Sequence, residues 1–255
     1  MSTTAISDAL VLMQRNLRRI PRSPELLLGF TVQPVMFVLL FVYVFGGAIQ
    51  TPGYSYVDFL IPGILVQMIA FGATLTGVGL ADDLQKGLVD RFRSLPMARS
   101  AVLAGRTMAD IVTNVFQSVV LVVVGLLVGF SFHANVLDVL AGLGLALLLG
   151  LAISWMSALV GLLVMNVESA QQFGFIWVFP LTFISSIFVP IATFPAGLEA
   201  FASVNPFTFT ADALHALWLG GPVGDDALWS LVWSIGLIAV FAPLAVWRYR
   251  RVASV

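Results

Sequence analysis

The chain has 255 residues, of which 60% are hydrophobic and only 10% are charged, with a net charge of −1. A soluble domain carries about 25% charged residues, so this composition and a mean hydropathy of +1.02 exclude a soluble fold and imply an all-α polytopic membrane protein. The absence of cysteine excludes disulfides and thiolate metal sites, and two distant histidines, His133 and His215, are too few for a zinc or haem centre.

In chain order, the first readable element is an amphipathic helix over residues 4–22. Ile6, Ala9, Leu10, Met13, Leu17 and Ile20 share one side, and Asp8, Arg15, Arg18 and Arg19 the other. Such a helix suits the cytoplasmic lipid interface; a plain orientation anchor is the alternative. No cleavable signal peptide is expected, because no short apolar region precedes a small-residue cleavage site.

A spanning helix needs about 20 mostly apolar residues. Six segments qualify: 26–48, 57–80, 107–130, 137–164, 173–189 and 228–247. The fifth is the weakest, since Pro180 interrupts it and Pro190 ends it. All twelve basic residues fall in three clusters, Arg15 to Arg22, Lys86 to Arg106 and Arg248 to Arg251. Six spans place the three clusters on one side, and the positive-inside bias makes that side, with both termini, cytoplasmic. One cytoplasmic loop, "MNVESAQQ" (Met165–Gln172), carries no basic residue. The whole chain, 1–255, reads as one membrane domain.

The loop between the second and third spans, "DDLQKGLVDRFRSLPMARS" (Asp82–Ser100), gathers charge in a chain that otherwise avoids it. Leu84, Leu88, Phe92 and Leu95 recur at helical spacing, acids lead, bases trail, and Pro96 stops the run. That order matches a helix dipole and predicts a short cytoplasmic helix with an apolar face to bury. At the start of the third span Arg106, Asp110, Thr113, Asn114 and Gln117 share one stripe, and Arg106 and Asp110 are spaced to pair. In lipid this face must meet protein or water. It serves either as glue between helices of one subunit or as a polar face on a subunit interface or transport route.

After the fifth span, Val189–Ala227 is external by this topology and too apolar for a solvated loop. Pro195 can open one short helix through Ser203. Asn205-Pro206 can open a second, with Asn205 as N-cap and Pro206 in the first turn. Phe207, Ala211, Leu214 and Trp218 then form its apolar face. The pair either dips back into the membrane or lies flat on the outer surface; Asp212 and His215 are expected as a capping or solvated pair.

Several chemistries lack their residues. The only lysine, Lys86, is followed by Gly87, so no phosphate-binding Gly-Lys-Ser/Thr loop exists. No serine in the spans has a histidine at workable spacing. The middles of the spans carry no charge, which disfavours coupling to a proton or sodium gradient. No catalytic, cofactor or metal site and no nucleic-acid surface is expected.

"GLVDRFRSLPMARSAVLAGR" (Gly87–Arg106) and "SSIFVPIATFPAGLEAFASVNPFTFTADAL" (Ser185–Leu214) resemble, in order, two segments of permease subunits of type-2 ABC exporters. The resemblance is to the daunorubicin-resistance DrrB-like family and extends over essentially the whole chain. It implies that the helix after the second span is a coupling helix docking on a separate ATPase, through Gln85, Gly87, Leu88, Asp90, Arg91, Phe92, Arg93, Ser94, Leu95 and Pro96. The interfacial helix, with Arg15, Arg18 and Arg19, would touch the same ATPase. It further implies re-entrant external helices, two ATPase copies holding ATP and Mg, and a second permease that is a copy of this chain or a related one. The implied activity is export of a hydrophobic or amphipathic drug, antibiotic or lipid across a bacterial plasma membrane. A self-sufficient secondary transporter or channel is the alternative.

Overall fold

A computed structural model of the protein describes residues 10–17, 24–47, 49, 53–87, 99–164 and 166–252. Among the described residues there is no strand. The helices are α1 (Pro24–Leu40), prolonged by a π-helical turn (Phe41–Phe45), α2 (Tyr56–Gln85), α3 (Arg99–Val128), α4 (Val136–Val164), α5 (Val167–Phe183), α6 (Ala196–Ala202), α7 (Pro206–Leu219) and α8 (Asp226–Val252). Residues 10–17 are helical as well.

Four of these, α2, α3, α4 and α8, are long and apolar enough to cross a membrane. α1 and α5 are shorter, with 17 residues each. The interior is organised around α2. In its most apolar stretch 72% is buried, against 17% for α8. α8 instead exposes Leu228, Trp229, Val232, Ile235 and Val240, which is the expected face toward lipid when the surrounding solvent is itself apolar. α2 and α4 approach backbone to backbone. A Cβ on Gly77 would strike the Ser157 carbonyl, and one on Gly161 would strike Gly77 itself, so only glycines permit this crossing.

Helix boundaries differ from the sequence reading where caps and prolines decide them. α5 starts at Val167, not 173, because Asn166 accepts a hydrogen bond from the Ser169 N–H (3.2 Å) and caps it. The expected loop "MNVESAQQ" is therefore largely helix. α5 ends at Phe183, not 189: Pro180 lacks an N–H, and the helix stops three residues later. α3 begins at Arg99, eight residues before the expected span, and α2 runs to Gln85. Both helices thus project beyond the apolar zone on the side of the charged loop.

The first turn of the helix expected within Asp82–Ser100, Asp82–Gln85, belongs to α2, and Gly87 adopts a left-handed conformation (φ +64°) that closes it. Leu88 through Pro96 lie outside the described residues.

The external segment folds as two helices. Pro195 precedes α6, and Asn205 caps α7 by accepting from the Phe207 N–H (3.0 Å), with Pro206 in the first turn. α7 buries Phe207, Ala211, Leu214 and Trp218 to 1% exposure or less and packs on α2, α4 and α8. It is part of the bundle. α6 buries only Ala202.

Candidate functional site

Two ends of the bundle can be told apart by what packs there. At one end Leu12 from the 10–17 segment joins Leu80 of α2, Leu103 of α3, Leu162 of α4 and Tyr249 of α8 in a small apolar cluster. Each of the three basic clusters has a member beside it: Arg15, Arg106 and Arg248. At the other end α7 meets Tyr56, Phe130 and Leu145 in the main core.

The basic end is held by a carboxylate that sequence reading passed over. Asp83, 7% exposed, accepts from Arg106 Nη1 at 2.8 Å and lies 3.6 Å from Arg15 Nη2. One buried acid thus joins the N-terminal segment, the end of α2 and the start of α3, just before the chain enters the charged loop. Arg106 is spaced to pair with Asp110. Among the described residues its ion pair is with Asp83 instead, because α2 brings that acid alongside. Gly79, with no side chain, leaves the space that the Arg106 guanidinium fills. Asp110 accepts from the Thr76 hydroxyl.

The expected polar stripe of α3 does face inward. Asn114 and Gln117 are 2% and 5% exposed. Asn114 sits between bare positions on two helices, Gly72 of α2 and Gly150 of α4. The rest of the stripe splits between these interhelical contacts and a cavity: Gln117 is one of its walls.

That cavity, about 330 Å³, opens between α1 and α5 over the middle of α2. Phe37, Phe71, Phe175 and Phe179 supply aromatic walls, with Gln33, Gln67, Gln117 and Gln171 as the amides. Among the described residues no charged side chain lines it. A second, shallower depression continues along α5 through the shared Gln171 and Phe175 to Glu168. Gln67 was missed in the sequence, although a lone amide in the middle of an apolar span, "LVQMIAF", is the signal that marks an intramembrane functional group.

Of the expected ATPase-contacting residues, Gln85 is exposed at the end of α2 and Gly87 closes that helix. Leu88, Asp90, Arg91, Phe92, Arg93, Ser94, Leu95 and Pro96 lie outside the described residues, as do Arg18 and Arg19; Arg15 is placed beside Asp83. At the far end, Asp212 and His215 do approach (3.6 Å). The imidazole also stacks on Phe59 and its Nε2 is 2.7 Å from the Phe59 carbonyl, so it ties α7 to α2.

The family model for the ABC-2 type transporter matches residues 8–219, a stretch holding every element up to the end of α7. The chain belongs to the ABC-2 type transporter family. Relatives of this transporter chain align over most of both lengths. It is 34% identical to the daunorubicin resistance ABC transporter permease protein DrrB1 of Streptomyces coeruleorubidus, over 97% of this chain and 88% of that one. It is 28% identical to the probable doxorubicin resistance permease DrrC of Mycobacterium tuberculosis, over 98% and 90%. A more distant match, at 25%, is the putative transport permease ycf38 of Cyanophora paradoxa, over 84% and 77%. An ABC-2 chain with four long apolar helices is an integral membrane protein, and the resemblance read from its two motifs is borne out.

Proposed function

We propose that this chain is the permease subunit of an ATP-driven exporter that moves a hydrophobic or amphipathic drug out across the bacterial plasma membrane. ATP and Mg belong to a separate ATPase, present in two copies, which docks on the charged segment 85–96 and on the N-terminal helix. The observation that carries this reading is the convergence at Asp83. In a chain of this family, one buried carboxylate ties Arg15 and Arg106 together where α2 delivers the chain into the charged loop. A push on that loop would reach α2 and α3 together, and α2 packs against α1, α3, α4, α5 and α7.

Six passages with both termini cytoplasmic complete the proposal, α1 with its π turn and α5 being the two shorter ones. The gathering at one end of a member of each basic cluster, Arg15, Arg106 and Arg248, supports it through the positive-inside bias. A second permease, a copy or a related chain, would cover the open side of α1 and α5, where Met36, Tyr43, Phe175, Ile176 and Phe179 are exposed.

The test is reconstitution in vesicles with the co-purifying ATPase. ATP-dependent accumulation of daunorubicin is expected with both chains and neither alone. Arg91→Glu or Leu88→Asp should abolish the complex while the permease keeps its melting temperature. Full transport by the isolated chain, driven by an ion gradient without ATP, would overturn the reading.

A further inference from the structure

The outer face of α8 has a depth marked by its own side chains. Trp229, Trp233, Val240, Leu244 and Trp247 are all exposed and fall on one stripe of the helix. Gly236 lies on the same stripe, and a Cβ there would meet open space. The stripe carries tryptophan at both ends. Trp229 and Trp247 stand about 27 Å apart along the axis at 1.5 Å per residue, close to the hydrocarbon thickness of a bilayer, roughly 30 Å. Tryptophan favours the two boundary levels of a membrane. Trp247 therefore marks the level where acyl chains meet headgroups.

Two arginines occupy that level. Arg248 and Arg251 lie within about 6 Å of Trp247 along the axis, inside a headgroup layer about 5–7 Å deep on each side. Contacts position both. The Arg251 guanidinium carbon sits 4.0 Å from the centre of the Trp247 ring, a cation–π contact. Arg248 donates from Nε to the Leu162 carbonyl at 3.4 Å, in the last turn of α4. That bond holds its guanidinium at the seam between α4 and α8 and leaves the terminal nitrogens beyond it. Among the described residues no carboxylate pairs with Arg248. Guanidinium groups bind phosphate through paired N–H donors. A protein partner would have to enter the headgroup layer to reach these two, whereas a lipid phosphate is already there.

We propose that the basic end of α8 is a binding site for an anionic phospholipid. Arg248 and Arg251 hold its phosphate, Trp247 lies at the level of its glycerol, and its acyl chains run along Leu244 and Val240. A zwitterionic lipid presents the same phosphate but brings a cation of its own beside the arginines, so the site selects headgroups with net negative charge. A lipid held there would clamp α4 to α8 at the end where Leu162 and Tyr249 pack together. The inference needs α8 to cross the membrane and does not rest on the export reading.

The experiment is native mass spectrometry of the full chain released from detergent micelles, titrated with phosphatidylglycerol and phosphatidylcholine of identical acyl chains. The wild type should bind the first on the order of twentyfold more tightly, about fivefold for each arginine. Arg248→Gln and Arg251→Gln should each lower that preference about fivefold, and the double variant should show none. Trp247→Leu, which removes the ring beneath Arg251, should act in the same direction. Arg250→Gln removes the same charge from another side of the helix and should leave the preference nearly unchanged. Glycerol 3-phosphate should not compete, because it lacks the acyl chains. Arg248 also touches the end of α4, so melting temperatures are compared alongside; if Arg248→Gln does not fold, the exposed Arg251 decides through Arg251→Gln alone. Equal losses in the three single variants would reduce the preference to net charge and overturn the site. An unchanged preference in the folded double variant would also overturn it, and loss of a co-purifying ATPase from that variant would assign the arginines to protein contact instead.

Discussion

Asp83 illustrates how one side chain can set a local structure. Its carboxylate is 10% exposed and the Arg106 guanidinium 15%, so neither charge is well hydrated. Removing one partner of such a pair leaves the other stranded. Asp83→Asn should therefore destabilise the protein by about 2 kcal/mol, and Arg106→Leu by less, because Asp83 then still has Arg15 at 3.6 Å. A melting series on Asp83→Asn, Arg106→Leu and the double variant checks this. A double variant no worse than Asp83→Asn alone marks the coupling, whereas strictly additive losses would place Arg106's partner elsewhere. Asn205 has comparable weight at the opposite end. Its Oδ1 caps α7, and its Nδ2 donates to the carbonyls of Leu181 (2.7 Å) and Ile184 (2.8 Å) where α5 ends. Asn205→Asp keeps the cap but turns an acceptor toward two carbonyls. It should be less stable than Asn205→Ala in the same assay, the reverse of what a simple N-cap would show. The capping role was legible in Asn205-Pro206. The grip on α5 was not, because it joins residues more than 20 apart and depends on Pro180 having ended that helix.

Among the elements, α2 and α4 have the closest approach and so the narrowest tolerance. Gly77 and Gly161 touch through their backbones, and two helices held this way cannot part slightly to admit a methyl group without disturbing the contacts of Gly150 with Ile69 and Asn114, about three turns along the same face of α4. Gly161→Ala should cost about 1–3 kcal/mol, the range for overpacking a close-packed interior, and Gly161→Leu should abolish stable expression in the membrane. Gly236→Ala on α8, where a Cβ meets open space, should be silent. Size-exclusion profiles of the three variants in one detergent provide the measurement; a silent Gly161→Leu would refute the crossing. The sequence displayed both spans but not which of their many glycines meet. Helical periodicity needs one polar face to fix an orientation, and α2 and α4 are apolar almost all round, so their rotation is decided by packing. α3 is the contrary case. Its stripe of Arg106, Asp110, Asn114 and Gln117 gave the inward face directly, since lipid excludes those groups, while the partner of Arg106 depended on how far α2 ran.

For the whole molecule, composition and charge placement carried the class, and the two motifs carried the family. The short helices α1 and α5 reveal where span counting by hydropathy loses its grip. A cap and a proline, not hydropathy, set the ends of α5, and α2 takes in Asp82–Gln85 before Gly87 closes it. The placement of Arg15, Arg106 and Arg248 at one end and of α7 at the other makes the orientation directly testable, and the cysteine-free sequence provides a clean background for it. Single cysteines at Gln85 and at Arg250 should react with a membrane-impermeant maleimide only after cells are opened. Cysteines at Gly197 in α6 and Gly224 before α8, where no neighbour obstructs a side chain, should react on intact cells. Six passages require this pattern, since Gln85 follows an even number of crossings and Gly197 an odd one. If α5 failed to cross, Gly197 would fall on the same side as Gln85, and both would label together. If α1 failed to cross, the labels at Gln85 and Arg250 would separate from that of Arg15→Cys. The labelling pattern at these five positions therefore identifies which short helix departs from a full crossing, as well as whether one does.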